Sequence, residues 1–154
     1  MTSTMPNPFQ IRQAQIEDLD RVCALIELFL KRMRADATVK GVRRVMEQIM
    51  TSPDLGIVVV VDNSSGLCGY GYASYHWRCE FGGETMDIVE LFVEETWRNK
   101  GVGRSLVRAL LETARSRNIS RISAEVHPGN AAIERTLESS GFDPERRTLW
   151  GMDI

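Results

Sequence analysis

The sequence predicts a mixed α/β domain, and three observations carry the prediction. Apolar residues recur at spacings of three and four in four segments, the pattern of helices with one buried face. β-branched or alternating runs separate them, and clusters of Gly, Asn and Ser mark the turns. A strand ending at Val93 is followed eight residues later by Gly101-Val102-Gly103 and then by a long helix.

Residues 1–7 read as a short tail and 8–154 as a single domain, since one domain usually takes roughly 100–200 residues. Phe9 to Gln15 alternates weakly and reads as an edge strand. Glu17 to Arg34 is an amphipathic helix whose stripe is Leu19, Val22, Ile26, Phe29 and Met33, with Cys23 beside it as core. Lys40 to Met50 repeats the pattern through Val42, Val45, Met46 and Ile49, and Pro53 lies beyond its end. Ile57 to Val61 is a β-branched run of the kind buried on both faces. Asp62 to Gly66 turns the chain, and Leu67 to Cys79 returns as a hairpin partner. Phe81 to Glu84 turns it again into a strand from Thr85 to Val93. In the next helix Val102, Leu106 and Leu110 form one apolar row, and Val107, Leu111 and Ala114 another. Ile119 to Val126 reads as a strand, and Pro128-Gly129-Asn130 opens a helix to Ser140. Gly141 suits that helix's C-terminal cap, and Phe142 to Ile154 reads as a last extended segment.

Composition narrows the function classes. With 43% hydrophobic and 26% charged residues, the chain is neither disordered nor collagen-like. The apolar run Ile57 to Val61 falls far short of the roughly 20 residues a membrane span needs, so no membrane partner is expected. Met1 to Asn7 shows no secretory signal. Cys23, Cys68 and Cys79 cannot all pair within one chain, and no C-x-x-C occurs, so a reducing cytoplasm is the expected compartment. A net charge of −2 argues against nucleic acid as a partner. Charge is nevertheless polarised along the chain. Cys79 to Trp97 carries six acids and no base, whereas Arg98 to Arg121 carries seven bases and one acid. Such adjacent blocks suit either an ordinary solvated surface or a protein holding a cation beside a polyanion.

Glycines before a helix let the backbone approach an anion, and the first helical amides point outward without intrahelical partners. Arg98, Lys100 and Arg104 add positive charge around Gly101-Val102-Gly103. The turn is no dinucleotide fingerprint, because Leu106 stands where G-x-G-x-x-G needs its third glycine, and the P-loop pattern is absent. Arg98-Asn99-Lys100-Gly101-Val102-Gly103 instead resembles the Q/R-x-x-G-x-G/A signature of the GNAT superfamily of acyl-CoA-dependent N-acyltransferases. Val89 to Val93 upstream, and Asn130 and Gly141-Phe142 downstream, extend the resemblance over about Leu67 to Phe142.

The resemblance implies a GNAT fold: a mixed, mostly antiparallel central sheet with a splayed parallel strand pair, flanked by about four helices. It implies acetyl-CoA as co-substrate, with its diphosphate on the amides of the loop Arg98, Asn99, Lys100, Gly101, Val102, Gly103 and Arg104. The pantetheine arm would pair with Leu91, Phe92 and Val93, in the gap between the strands of Thr85 to Val93 and Ile119 to Val126. Asn130 would touch that arm, although Asn also suits a plain helix N-cap. The implied activity is acetyl transfer to a primary amine, without a metal and without a covalent enzyme intermediate. A homodimer is common in the family.

The chemistry needs a base, because an ammonium near pKa 10.4 has no lone pair with which to attack a thioester. Glu90, Glu125 and Asp87 are the candidates. Alternation sets Asp87 and Glu90 on opposite faces unless a bulge intervenes. Glu90 matches an acidic position with which polyamine acetyltransferases of the superfamily hold a cationic substrate. Glu125 matches the base of members acting on protein N-termini. A charge in an apolar central strand is costly unless paired or solvated, which favours Glu90. The expected acceptor is therefore a small cationic amine; a protein or peptide N-acetyltransferase using Glu125 is the alternative. Leu137 stands seven residues after Asn130, where many members carry the Tyr that protonates the leaving thiolate. That leaves solvent or another side chain as the acid, and admits a catalytically silent acyl-CoA-binding module. His76, next to Trp77, and Phe29 are candidates for lining the acceptor pocket, and His127 for a second proton relay.

Overall fold

A computed structural model describes residues 7–154, so most of the short N-terminal tail lies outside the described residues. Strand β1 (Phe9–Gln13) leads through a 3-10 turn into α1 (Leu19–Met33) and α2 (Val39–Thr51). Strands β2 (Gly56–Asn63), β3 (Gly66–Arg78) and β4 (Gly83–Val93) follow, then α3 (Val102–Ser116), β5 (Arg121–Ala124) and α4 (Ala131–Glu138). The five strands form one sheet in the order β1-β2-β3-β4-β5. The first three pairings are antiparallel and β4–β5 is parallel, which is the mixed sheet the resemblance implied.

Helices cover both faces. Leu19, Val22, Leu25 and Ile26 of α1, with Val42, Met46 and Ile49 of α2, bury against Val58, Val60, Tyr70 and Phe92. Val102, Leu106 and Leu110 of α3 bury against Val59, Val61, Met86 and Ile88 on the opposite face. At about 1.5–3 kcal/mol for each fully buried aliphatic side chain, these two cores supply most of the drive to fold. Val58 to Val61 alternate between them, so β2 is buried on both sides as its composition predicts. Thr38 caps α2 by accepting from the Gly41 N–H at 3.0 Å.

Two sequence expectations are corrected. The strand expected over Ile119 to Val126 is ordered as a strand only from Arg121 to Ala124, because β5 leaves its partner early. Phe142 to Ile154 forms no strand among the described residues. Its first stretch, Asp143 to Arg147, carries a proline and four charges, so side chains rather than a backbone ladder hold it. Glu145 pairs with Arg121, and Arg147 reaches Glu80 at 2.7 Å. Leu149, Trp150 and Met152 beyond them are exposed.

Candidate active site

The site begins with one extra residue in β4. Tyr72 lies opposite Glu90 and Ala73 opposite Ile88, so Val89 has no partner on β3 and forms a β-bulge. Before the bulge, Met86 and Ile88 face α3; after it, Leu91 and Val93 take that side. Phe92 then faces α1, and so does Glu90, two residues away on the same strand. Asp87, alternating with Met86 and Ile88, faces α1 as well. The bulge therefore resolves the alternation problem and brings Asp87 and Glu90 to one face.

The bulge also marks where the sheet opens. Parallel pairing runs from Thr85↔Arg121 to Ile88↔Ala124 and stops, while β4 continues to Val93 on β3 alone. Between the diverging chains lies a narrow cavity of about 30 Å³. Glu90, Leu91, Glu125, His127 and Asn130 line it, with Phe29 and Met33 of α1 on one wall and Leu137 of α4 among the apolar residues. A wider open groove of about 680 Å³ lies between the start of α1 and α2, but it contains none of the candidate residues. The narrow cavity is the candidate site, because the sheet's opening, Glu90 and Glu125 converge there.

Each predicted residue has a definite place. Glu90 is largely buried and accepts one hydrogen bond, from the Tyr70 hydroxyl at 2.7 Å. Burial pushes its carboxyl above the ordinary range, and that hydrogen bond pulls part of the way back. Asp87 is engaged elsewhere: Arg78 donates to its Oδ2 at 2.9 Å and His76 Nε2 lies 3.4 Å away. Its Oδ1 is buried without a hydrogen-bond partner among the described residues. His76 also sits 3.0 Å from the Ser74 hydroxyl, beside the exposed Trp77. Glu125 is exposed on the far wall of the opening. Phe29 packs edge-on against Phe92 at 6.3 Å and also lines the cavity. Asn130 caps α4, its side chain accepting from the Ile133 N–H at 3.4 Å.

Beyond Val93 the loop turns through Asn99 at φ 59° and Gly101 at φ 79° before α3 begins. No side chain caps α3, and its first bond at this end is Ser105 N–H to Gly101 O at 3.0 Å. The amides of Val102, Gly103 and Arg104 are thus the open donors of a helix start. A Cβ built on Gly101 would meet nothing within 4 Å, so open space lies above the turn. Lys100 sits over the Trp97 ring at 5.1 Å, and Arg104 is exposed. The Arg98 side chain turns back onto the sheet. Its Nε donates to Val93 O at 2.8 Å and its guanidinium lies 5.8 Å from the Phe92 ring, so it braces the strand end. It forms no ion pair among the described residues, and burial, then Arg32, lowers its pKa.

Tyr70, Ser74 and Arg78 are site neighbours that sequence alone does not single out. Their partners depend on cross-strand register, which composition and periodicity do not reveal. Cys23 is buried, as expected of a core residue, Cys68 is buried too, and Cys79 is exposed. No group of three or more metal-ligating side chains occurs among the described residues, and no described helix is long and apolar enough to cross a membrane.

Residues 22–142 match the family described as the acetyltransferase (GNAT) family. The chain belongs to that family. Within it, the L-methionine sulfoximine/L-methionine sulfone acetyltransferases of Pseudomonas aeruginosa and Pseudomonas paraeruginosa are 32% identical over 87 residues. That match takes in 56% of this chain and 50% of each relative, so the chain spans about half the length of the curated relatives it matches. Among solved structures, an integron cassette protein from the mobile metagenome of Cole Harbour Salt Marsh aligns with a TM-score of 0.84 at 20% identity, covering 94% of this chain and 90% of that one. The aminoglycoside N-acetyltransferase AAC(6')-Iy in complex with CoA aligns with a TM-score of 0.83 at 16% identity, covering 97% and 98%. At these identities the structural likeness speaks for the fold.

Proposed function

We propose that this chain transfers an acetyl group from acetyl-CoA to the primary amine of a small cationic acceptor, with Glu90 as base. The observation that carries the proposal is the bulge at Val89. One inserted residue opens the β4–β5 edge and turns Glu90 into that opening. The residues present fit the co-substrate. An uncapped helix start, the open space above Gly101 and the exposed Arg104 suit a diphosphate, and the β4 edge left by β5 suits an extended amide-bearing arm. Bound there, acetyl-CoA supplies an acetyl group activated as a thioester.

The protein's part is proton handling in partly apolar surroundings. The acceptor amine must lose a proton to attack, and the Glu90 oxygen not held by Tyr70 takes it. Phe29, Met33 and Leu137 make the walls apolar, which strengthens that carboxylate as a base. Leu137 has no proton to give, so the departing thiolate takes its proton from water; a thiol pKa near 8.5 makes it a good leaving group. The names of the Pseudomonas relatives and of the aminoglycoside enzyme support a small-molecule acceptor. Glu125 lines the same cavity, which keeps peptide acetylation with Glu125 as base as the second proposal.

Thiol release from acetyl-CoA, screened over polyamines, diamines, aminoglycosides, amino acids and peptides, tests both. Glu90→Gln should lower kcat/KM by about 10²–10⁴, the usual worth of a general base, while Glu125→Gln retains turnover. The reverse result transfers the role to Glu125. Acetyl-CoA binding with no thiol release across the whole panel would make the chain a silent binding module.

A further inference from the structure

Tyr70 is the one hydrogen-bond donor that Glu90 meets among the described residues. The contact follows from register. Tyr70 lies opposite Phe92 and Tyr72 opposite Glu90, so Tyr70 and Glu90 are diagonal neighbours on one face, within reach of two long side chains. That face is shared only because of the Val89 bulge. In an unbroken alternation Glu90 would point toward α3, away from Tyr70.

The tyrosine is fixed more firmly than the glutamate it serves. Its side chain is 0% exposed, with the Phe92 ring 6.1 Å away and Phe29 stacked edge-on behind Phe92. Its hydroxyl makes no other hydrogen bond among the described residues. A phenol this deeply buried beside a carboxylate keeps its proton, so Tyr70 donates permanently and cannot act as the missing acid.

We infer that Tyr70 is the positioning residue for Glu90: its hydroxyl pins Oε2 and leaves Oε1 as the oxygen that takes the acceptor's proton. The inference rests on Glu90 being the base. It explains how a flexible side chain at a bulge keeps one orientation without a cation beside it. A hydrogen bond to the charged form also offsets part of the burial penalty on that carboxylate.

The test is a pH titration of the protein carrying ¹³C-carboxyl glutamate, with the Glu90 resonance assigned by its loss in Glu90→Gln. Tyr70→Phe keeps the ring and removes the donor, and should raise the Glu90 midpoint by about one pH unit, the worth of one hydrogen bond to a charged group. Site-specific 3-fluorotyrosine at position 70 is a stronger donor of nearly the same shape and should lower the midpoint. A tyrosine that merely fills the core would move neither. An unmoved midpoint in both proteins overturns the inference, as does a shift of the same sign in both. If the midpoints move as expected but Glu90→Gln retains turnover, Tyr70 tunes a carboxylate that is not the base, and the positioning role falls with the base assignment. If Glu90→Gln abolishes turnover while the midpoints stay still, the base survives and Tyr70 alone is dismissed.

Discussion

Alanine at the two glycines of the Gly101-Val102-Gly103 turn should have opposite effects on stability, because their backbones differ. Gly101 has φ 79° and ψ 3°, left-handed geometry that costs a residue with a Cβ about 1–2 kcal/mol. Nothing lies within 4 Å of the added methyl, so the penalty is conformational and not steric. For a chain of this size that corresponds to a fall in Tm of roughly 2–8 °C. Gly103 is inside α3, and its Cβ would lie 3.8 Å from Thr136, an ordinary contact. Gly103→Ala should gain helix propensity, at most about 1 kcal/mol, and hold or raise Tm by a few degrees. Relaxing the Gly101 strain moves the amides that follow it, so Gly101→Ala should weaken acetyl-CoA binding about tenfold, the cost of roughly one charge-assisted hydrogen bond. Differential scanning calorimetry and isothermal titration read the two effects. Equal destabilisation by both alanines, or unchanged affinity in a destabilised Gly101→Ala, would refute the reasoning.

Two further predictions concern the scaffold. Asp18 takes Arg12 on both oxygens at 2.7 and 2.9 Å, and Arg12 foremost lowers its pKa. A depressed carboxyl contributes stability above its unfolded pKa of about 3.9 and loses it as pH falls through the lower folded value. Asp18→Asn should therefore cost about 1–3 kcal/mol in urea unfolding at pH 7, with the gap to the parent protein closing as pH falls below the ordinary carboxylate value of about 3.9; a gap independent of pH contradicts this. Arg117 holds Glu84 through two nitrogens at 2.8 and 3.0 Å, touches Asp54 at 3.2 Å and stacks on Tyr75 at 4.2 Å. Arg117→Lys cannot reproduce that fork and should cost about 1–2 kcal/mol in thermal unfolding without changing acetyl-CoA affinity.

What the sequence discloses here depends on how local the cause is. The stripes Leu19-Val22-Ile26 and Val102-Leu106-Leu110 are local patterns, and both are buried as read. The glycine turn announces itself because left-handed geometry at Gly101 needs a residue without a Cβ. The bulge at Val89 does not, since nothing in Asp87-Ile88-Val89-Glu90 distinguishes it from an unbroken strand; it could be stated only as a condition on Asp87 and Glu90. Tyr70 depends on that bulge and on the β3–β4 register together, and so stays invisible until both are known. The failed strand after Phe142 shows the opposite error. Extended composition was legible, but its pairing required an edge that Arg121, Glu145 and Arg147 bind through side chains instead.

The grip of the 99–104 backbone on a diphosphate is tested most directly by titrating the protein with acetyl-CoA and with S-acetyl-pantetheine, which keeps the thioester and arm but lacks the diphosphate and the phosphorylated nucleoside beyond it. The account predicts at least about a hundredfold weaker binding of the truncated ester, equivalent to losing two charge-assisted hydrogen bonds. Affinities within about threefold of each other would place the binding energy elsewhere and contradict it.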